Sequence, residues 1–316
     1  MGQKRIIMIL VTGAAGFIGS ALANVLNKNG YKTITIDDLS SGNRENIPRD
    51  TLFIHGNCAD ENVVSSLTKY PISTIIHLAG QSSGEVSFYD PISDQKSNTT
   101  STILLLRYAK EKGIKKFIYA SSMSVYGDHV RLPVHEEMAT VPNSFYAVGK
   151  LASENYLRLF SSKNLLTTAL RFFNVYGPGQ NLSNLRQGML SIYLAQALFE
   201  RRILVKGDLN RFRDLIYIDD VVSAIIALLD NNWTRNNSVY NLSSGYPVKV
   251  SEMLDAIKAG MNEDIPVEVT NSTPGDQYGI YGSSYTFQKE FNWKPQTRHE
   301  EGIINMIKWA LNSRNS

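Results

Sequence analysis

The sequence contains few of the residues that mark several protein classes. One cysteine in 316 residues excludes a disulfide scaffold and any cysteine-rich zinc or iron–sulfur site. The five histidines are scattered without a spacing suited to zinc, so no metal site is predicted. The formal net charge is only +3, and basic and acidic residues are interleaved along the chain. Nucleic acid is therefore not expected as a partner.

Long hydrophobic runs are also missing. The apolar run Ile6–Val11 is short and leads directly into Thr12, with no small-residue cleavage site. No stretch approaches the roughly 20 apolar residues of a membrane span. With 43% hydrophobic residues, the chain can still bury the core of one large domain or two modest ones. We expect a soluble cytoplasmic protein that does not enter a membrane.

Short apolar runs alternate with amphipathic stretches along the first half of the chain. Continuous apolar strands separated by helices are typical of a parallel sheet covered on both faces, and right-handed crossovers make such a sheet doubly wound. The predicted fold is therefore an α/β, Rossmann-type doubly wound parallel sheet. The predicted strands are Arg5–Val11, Lys32–Ile36, Thr51–His55, Thr74–Leu78 and Lys116–Ala120, and the predicted helices include Ile18–Asn29, Ser97–Lys112, Ser144–Phe160 and Met189–Glu200.

The pattern changes near residue 177. The run Gly177–Asn181 is a strong turn signal, and shorter strands and more loops follow it. We expect residues 1–176 to form a dinucleotide-binding domain and residues 177–316 to form mainly a smaller, substrate-binding lobe. A segment of about 214–245 is expected to return to the first domain.

A glycine-rich loop lies between the first strand and the first helix. Gly13, Gly16 and Gly19 permit a tight turn, close approach of the backbone to a pyrophosphate, and close helix–strand packing. The N-terminus of the following helix offers free N–H groups to phosphates. Asp37 closes the second strand 18 residues after Gly19. A carboxylate there accepts hydrogen bonds from ribose hydroxyls and repels a 2′-phosphate, so the sequence favours NAD over NADP.

Tyr146 and Lys150 lie four residues apart in a predicted helix and so share one of its faces. A free tyrosine titrates near pH 10, and a neighbouring ammonium group lowers that pKa by favouring the phenolate. Ser121 and Ser122 lie at the end of a predicted strand, where the ligand crevice of an open parallel sheet is found. A hydroxyl there can hold a reacting oxygen, so this trio of residue types is a candidate catalytic site.

With these motifs, the sequence resembles the extended short-chain dehydrogenase/reductase family of nucleotide-sugar enzymes, and most closely its UDP-hexose 4-epimerases. The variant glycine spacing G-x-x-G-x-x-G is typical of this family. The resemblance covers nearly the whole chain. The segments that carry it are Gly13–Gly19, Asp37–Gly42, His77–Gly80, Asn98, Ser121-Ser122, Tyr146–Lys150, Arg171–Gly177, Arg213-Asp214, Pro274–Asp276 and Asn292–Pro295.

The resemblance implies roles for individual residues. Ser122, Tyr146 and Lys150 would be catalytic. Ser122, Tyr146, Asn174 and Arg213 would bind the substrate, the last two at its diphosphate. The implied NAD-binding residues are Gly13, Gly16, Phe17, Ile18, Gly19, Asp37, Asp38, Leu39, Ser40, Ser41, Gly42, Asn57, Cys58, Leu78, Ala79, Gly80, Gln81, Ser82, Asn98, Ser121, Tyr146, Lys150 and Phe173.

The implied activity is interconversion of C4 epimers of a UDP-hexose or UDP-N-acetylhexosamine through a transient 4-keto sugar. Related 4,6-dehydratases carry an Asp-Glu pair where this chain has Met123 and Ser124, and related decarboxylases carry a glutamate at the second place. A 4-keto reductase needs no such pair and stays open, although it usually uses NADPH. A non-catalytic NAD-binding protein is a more remote alternative, since Ser122, Tyr146 and Lys150 are all present.

One departure from the family concerns substrate binding. Epimerases of this type generally carry a second diphosphate-binding arginine in an Arg-x-Gly-Asp pattern, where this chain has Thr273. Either Arg211 or Arg213 could carry the charge alone, or the sugar nucleotide could bind differently. Cys58 is interpreted as a packing residue, because no basic side chain adjoins it. The helices 97–112 and 144–160 could form a homodimer interface, or could be buried within one chain.

Overall fold

The structure is a computed structural model that describes residues 8–129, 131–185, 188–231, 233–272 and 278–314. Its largest sheet has seven strands, all parallel, in the spatial order β10-β6-β5-β4-β1-β2-β3. These strands are β1 (Met8–Thr12), β2 (Lys32–Asp37), β3 (Leu52–His55), β4 (Ile72–His77), β5 (Lys116–Ser122), β6 (Leu166–Phe172) and β10 (Ser238–Leu242). The Rossmann-type sheet predicted from the sequence is confirmed.

Helices cover both faces of this sheet because successive strand residues point in opposite directions. In β1, Ile9 and Val11 pack into one core cluster, with the helices at 17–28 and 218–230, whereas Leu10 packs into a second, with the helices at 61–66 and 101–112. The helices of the chain's first half are α1 (Phe17–Lys28), α2 (Glu61–Ser66), α3 (Gly84–Tyr89), α4 (Pro91–Gln95), α5 (Ser101–Lys112) and α6 (Phe145–Phe160). A π-helical turn, Lys96–Thr100, joins α4 to α5.

Smaller sheets lie in the second half. β9 (Phe212–Tyr217) pairs with β7 (Asn174–Tyr176), β11 (Pro247–Lys249) and β13 (Gly279–Ile280), and β8 (Ile203–Lys206) pairs with β12 (Val267–Thr270). The helices here are α7 (Met189–Phe199), α8 (Ile218–Asp230), α9 (Val250–Met261), α10 (Tyr285–Phe291) and α11 (His299–Arg314). One apolar cluster runs from β1 to α11, so both halves share a core.

The later part of the chain contributes to both regions. β10 joins the large sheet beside β6, and α8 packs against α1. Both elements lie within the segment of about 214–245 that was expected to return to the dinucleotide-binding domain. The division at residue 176 stays a prediction. Among the described helices, none combines the length and the apolar character that crossing a membrane requires.

Candidate active site

The carboxyl ends of β1 and β4 are joined by a buried hydrogen-bond network. Thr12 Oγ1 accepts hydrogen bonds from the backbone N–H groups of Leu78 and Ala79, both at 3.2 Å, and lies 2.7 Å from His77 Nδ1. Burial, followed by the charge of Lys150, lowers the pKa of His77 to about 3. The ring is therefore neutral, and His77 is a buried, hydrogen-bonded core residue.

The glycine loop after β1 leaves no room for side chains. Gly13 has a φ of +67°, and a Cβ there would lie 2.7 Å from the backbone nitrogen of Ala79. A Cβ on Gly19 would lie 2.0 Å from the carbonyl oxygen of Gly13. α1 begins at Phe17, and its N-cap, Gly16, has no side chain to hydrogen bond to the first turn. The first N–H groups of α1 therefore face the loop, as a phosphate-binding helix terminus requires.

An acidic turn follows β2. Asp37 Oδ2 accepts a hydrogen bond from the Ala15 N–H at 2.9 Å, and its Oδ1 accepts one from the Leu39 N–H at 2.8 Å. Asp38 Oδ2 accepts from Asn57 Nδ2 at 2.9 Å. Both oxygens of Asp37 thus brace the glycine loop against the turn, and each keeps a second lone pair for a ribose hydroxyl. The sequence indicated the second role and missed the first.

Cys58 lies beside this acidic turn. Burial is the main reason that the pKa of its thiol rises to about 12, and the charges of Asp37 and Asp38 add to the effect. The thiol is therefore protonated and buried at neutral pH, which confirms the interpretation of Cys58 as a packing residue.

Ser122, Tyr146 and Lys150 come together at the carboxyl end of β5. Ser122 is the last residue of β5, and the other two lie on the buried face of α6. The Tyr146 hydroxyl lies beside Ser122, whose side chain lowers its pKa. Lys150 Nζ lies 5.7 Å from the centre of the Tyr146 ring and donates a 2.8 Å hydrogen bond to the carbonyl oxygen of Ala120. The predicted trio therefore forms one cluster.

Burial controls the protonation of this cluster. It raises the pKa of Tyr146 to about 12, against the lowering effect of the hydrogen bond to Ser122. It lowers the pKa of Lys150 to about 8, against the charges of Asp94 and Glu154. The sequence predicted a Tyr146 pKa below that of free tyrosine, and this is not found in the protein alone. Removing the phenolate from water costs more here than the interaction with Ser122 returns, and the charge of Asp94 raises the pKa of Tyr146 further.

A cavity of about 670 Å³ opens in front of the trio. Asn174, Arg211, Arg213 and Lys206 line it together with Ser122, Tyr146 and Lys150. Arg213 Nη1 donates to the carbonyl oxygens of Phe212 at 2.8 Å and Tyr278 at 3.3 Å. Burial, and then the like charge of Arg211, lower the pKa of Arg213 to about 10. Two cations held together in this way favour an anionic ligand.

Comparison with known proteins assigns this fold and site to a family. The sequence pattern of the NAD dependent epimerase/dehydratase family matches residues 9–243. The chain belongs to this family. It is 31% identical over 310 residues to the UDP-glucose 4-epimerase of Mycolicibacterium smegmatis, covering 96% of this chain and 98% of that protein.

Two solved structures support the family assignment. The UDP-glucose 4-epimerase of Thermotoga maritima, with UDP-glucose, superimposes with a TM-score of 0.93 at 31% identity, covering 97% of this chain and 99% of that one. The UDP-glucose 4-epimerase of Thermus thermophilus, in complex with NAD, gives a TM-score of 0.89 at 28% identity, covering 96% and 98%. The predicted family and the cofactor NAD are confirmed.

The residues of this NAD-dependent epimerase/dehydratase fit the cofactor. The glycine loop and the uncapped N-terminus of α1 would bind the pyrophosphate. The carboxylate of Asp37 would accept hydrogen bonds from a ribose. A second hollow, of about 740 Å³, is lined by Gly16, Phe17, Leu39, Ser41 and Gly42. NAD, when bound, supplies the hydride-accepting ring that this family requires.

Other predicted cofactor residues lie in the structure around these two hollows. Phe17, Ile18, Leu78, Gly80, Ser82, Ser121 and Phe173 line the cavity in front of the trio. The residues that line neither hollow are Gly13, Gly19, Asp37, Asp38, Ser40, Asn57, Cys58, Ala79, Gln81 and Asn98. Thr273, the departure from the family pattern, lies outside the described residues.

Sequence reasoning missed two buried carboxylates of this site. Asp94 accepts hydrogen bonds from Gln81 and Asn98. Glu154 accepts two hydrogen bonds from Arg171, at 2.9 and 2.7 Å, and a third from Ser121 at 2.5 Å. The available signal for Glu154 was its spacing: it lies four residues after Lys150, on the face that already carries Tyr146. Asp94 lies four residues before Asn98, ahead of the predicted start of that helix.

Proposed function

We propose that this protein interconverts C4 epimers of a UDP-hexose or UDP-N-acetylhexosamine through a transient 4-keto sugar. The observation that carries the proposal is the cluster of Ser122, Tyr146 and Lys150 at one wall of a cavity that also contains Arg213. A group suited to proton transfer and a cation suited to a diphosphate thus line the same cavity, which supports the proposal. Membership of the NAD-dependent epimerase/dehydratase family supports the same reaction.

In this proposal Ser122 and Tyr146 bind the sugar's 4-hydroxyl group. Tyr146 takes the hydroxyl proton during oxidation and returns it during reduction, so the residue is regenerated in each cycle. NAD, when bound, accepts and returns the hydride. Because burial holds the Tyr146 pKa at about 12 in the protein alone, positive charge must accumulate near the phenol before it can act as a base. Lys150 is already present in the protein alone, so the positively charged nicotinamide ring of NAD, when bound, would supply the rest of that charge.

The far end of the cavity suits a diphosphate. Among the described residues that line the cavity, Lys150, Lys206, Arg211 and Arg213 are basic, and the one acidic residue is Glu85. The Arg213 guanidinium offers a planar set of donors to phosphate oxygens. Asn174 donates to the Asp214 carbonyl oxygen at 3.1 Å through one N–H and keeps a second for the substrate. We propose both residues as diphosphate ligands.

The full NAD-binding set named from the sequence remains part of this proposal. The glycine loop would bind the pyrophosphate, Asp37–Gly42 the adenosine ribose, and Asn57 and Cys58 the adenine. Residues 78–82, Asn98 and Phe173 would line the rest of the cofactor. The braced positions of Asp37 and Asp38 support the ribose assignment, because carboxylates fixed by backbone and side-chain donors are already oriented.

The surroundings of Ser122 favour the epimerase over the 4,6-dehydratase. Met123 and Ser124 lie in a 3-10 turn directly after β5. Ser124 Oγ donates to Ser122 Oγ at 2.9 Å, so it supports Ser122 and supplies no carboxylate for elimination of water. The carboxylate of Asp37 in turn disfavours the NADPH that a 4-keto reductase usually needs.

The test supplies purified protein with UDP-glucose or UDP-N-acetylglucosamine and no added nicotinamide. We expect the 4-epimer to form, as followed by anion-exchange chromatography and NMR of the sugar. A strict need for added NADPH and a 4-keto substrate would establish the reductase instead. Release of a 4-keto-6-deoxy sugar would establish the dehydratase, and either result overturns the proposal.

We further propose that the protein is a homodimer and, on the sequence grounds above, that it is cytoplasmic. Support for the dimer comes from exposed apolar side chains on α6. Phe145, Val148 and Leu159 are all on its surface. Large apolar side chains gathered on one helix are typical of an interface.

A further inference from the structure

Asp94 is a buried carboxylate for which the proposed epimerase reaction has no role. It lies on α4 with 2% of its surface exposed. Its Oδ1 accepts hydrogen bonds from Gln81 Nε2 at 2.7 Å and from Asn98 Nδ2 at 3.1 Å. Both donors are neutral amides, so they fix the position of the carboxylate without cancelling its charge. A buried charge of this kind needs an opposite charge nearby.

Lys150 is the buried cation in the surroundings of Asp94, and the charge of Asp94 raises its pKa. The Oδ2 atom of Asp94 lies 3.5 Å from the point where Gly149 would carry a Cβ, directly before Lys150 in the chain. Asn98, which donates a hydrogen bond to Asp94, also lies near Lys150. Both groups lie near the point where Gly80 would carry a Cβ: the Oδ1 atom of Asn98 is 2.4 Å from that point, and Lys150 Nζ is 3.5 Å from it. The absence of a side chain at Gly80 therefore lets both groups approach one point.

The other groups around Lys150 do not take the place of Asp94. Tyr119 on β5 presents its ring at 4.9 Å from Nζ, and Ala120 presents a carbonyl oxygen. His77 on β4 is neutral. Glu154, one turn along α6, is bound through both carboxylate oxygens to Arg171 on β6, with side chains 6% and 5% exposed. The carboxylate of Asp94 has no such guanidinium among its described hydrogen-bond donors.

We propose that Asp94 is a positioning residue for Lys150: its carboxylate, fixed by Gln81 and Asn98, holds the buried ammonium group charged and in place beside Tyr146. The inference rests on the proposed function for its catalytic consequence, but not for the effect of Asp94 on the protonation of Lys150. In an Asp94→Asn variant the amide oxygen still accepts both hydrogen bonds, while the charge is lost. Lys150 then gives up its proton at lower pH.

The direct test is a pH titration of Lys150 in protein labelled with ¹³C at lysine Cε, with its resonance identified from a Lys150→Arg variant. This measurement does not depend on turnover. We expect the midpoint of Lys150 to fall by about one pH unit or more in Asp94→Asn. Asp90→Asn is the matched control, because it removes one carboxylate from the exposed N-cap of the same helix. An unchanged midpoint in Asp94→Asn overturns the proposal.

A second measurement addresses catalysis. With the UDP-sugar that the unaltered protein converts, the alkaline limb of the kcat–pH profile should move to lower pH in Asp94→Asn and stay in place in Asp90→Asn. Asp94→Glu keeps the charge and should restore the limb. A loss of kcat that is equal at every pH indicates a merely structural role and overturns the proposal. If Asp94→Asn does not fold, Asp94→Ser takes its place in both measurements.

Discussion

At the scale of single residues, the proposed chemistry depends on the Tyr146 hydroxyl. Replacing Tyr146 by Phe keeps the ring and removes the group that exchanges a proton with the substrate. We expect kcat to fall by about 10²- to 10⁴-fold, with NAD still bound. The measurements are kcat with the UDP-sugar substrate and bound NAD released by denaturation. Tyr156→Phe makes the same change farther along α6 and should leave kcat unchanged, whereas unaffected turnover in Tyr146→Phe would show that another base acts.

His77 illustrates how a network fixes a protonation state. Thr12 Oγ1 accepts two backbone N–H groups, so it donates its own proton to His77 Nδ1. The proton of the neutral ring then lies on Nε2 and points to Ser101 Oγ, 3.2 Å away. Because the folded pKa of about 3 lies below the unfolded value of 6.5, the unfolded chain binds a proton that the folded chain does not. Keeping His77 neutral therefore contributes to the free energy of unfolding fully above pH 6.5, and this contribution is lost as the pH falls toward 3.

This linkage predicts a pH-dependent effect of a His77→Gln variant. Glutamine cannot be protonated, so the variant does not share the loss of stability at acid pH. We expect its Tm to lie below that of the unaltered protein at about pH 7.5 and the difference to shrink as the pH falls to about 5. Thermal unfolding followed by circular dichroism at a series of pH values measures this, with His55→Gln as the same change at an exposed histidine. A difference that is constant with pH would contradict the proposed linkage.

At the scale of elements, the β1–loop–α1 unit depends on contacts that admit no side chain. A Cβ on Gly19 would overlap the carbonyl oxygen of Gly13 at 2.0 Å, and backbone cannot move aside as a flexible side chain can. We expect Gly19→Ala to lower the Tm and to abolish NAD binding, measured by thermal unfolding and isothermal titration calorimetry. At Gly84 the nearest atom to a new Cβ is 3.6 Å away, an ordinary contact, so Gly84→Ala should retain both properties. NAD binding by Gly19→Ala at unchanged affinity would contradict this account.

Sequence patterns predict some elements well, for stated physical reasons. β1, α1 and α6 have strong apolar patterns and turn residues at their ends, so the sequence predicts where they lie in the chain. It also predicts that Tyr146 and Lys150 share one face of α6. The short strands β7, β11 and β13 carry too few residues for a period to emerge, and their pairing with β9 depends on long-range contacts. The π-helical turn at Lys96–Thr100 has no sequence signal of its own. The predicted helix therefore began at Ser97 and left out Asp94.

The Tyr146 pKa shows a second limit of sequence reasoning. Spacing reveals that Lys150 lies on the same helix face, but it does not reveal that only 9% of the Tyr146 surface stays exposed once β5 and α6 pack. Desolvation depends on the surrounding elements as a whole. In the same way, spacing gave no sign that Glu154 pairs with Arg171.

At the scale of the whole molecule, the proposed homodimer depends on the exposed face of α6. Val148 is 51% exposed in the single chain, and Phe145 and Leu159 are exposed on the same helix. A second copy would bury these side chains, and a charge introduced there would be desolvated without a partner. We expect the unaltered protein to have twice the mass of the chain by light scattering after size exclusion, and Val148→Glu to have the mass of one chain. Val269 is 50% exposed on β12, so Val269→Glu makes the same substitution at matched exposure away from α6 and should remain dimeric. A dimer that persists in Val148→Glu would place the interface elsewhere, and a monomeric unaltered protein would remove the dimer from the proposal.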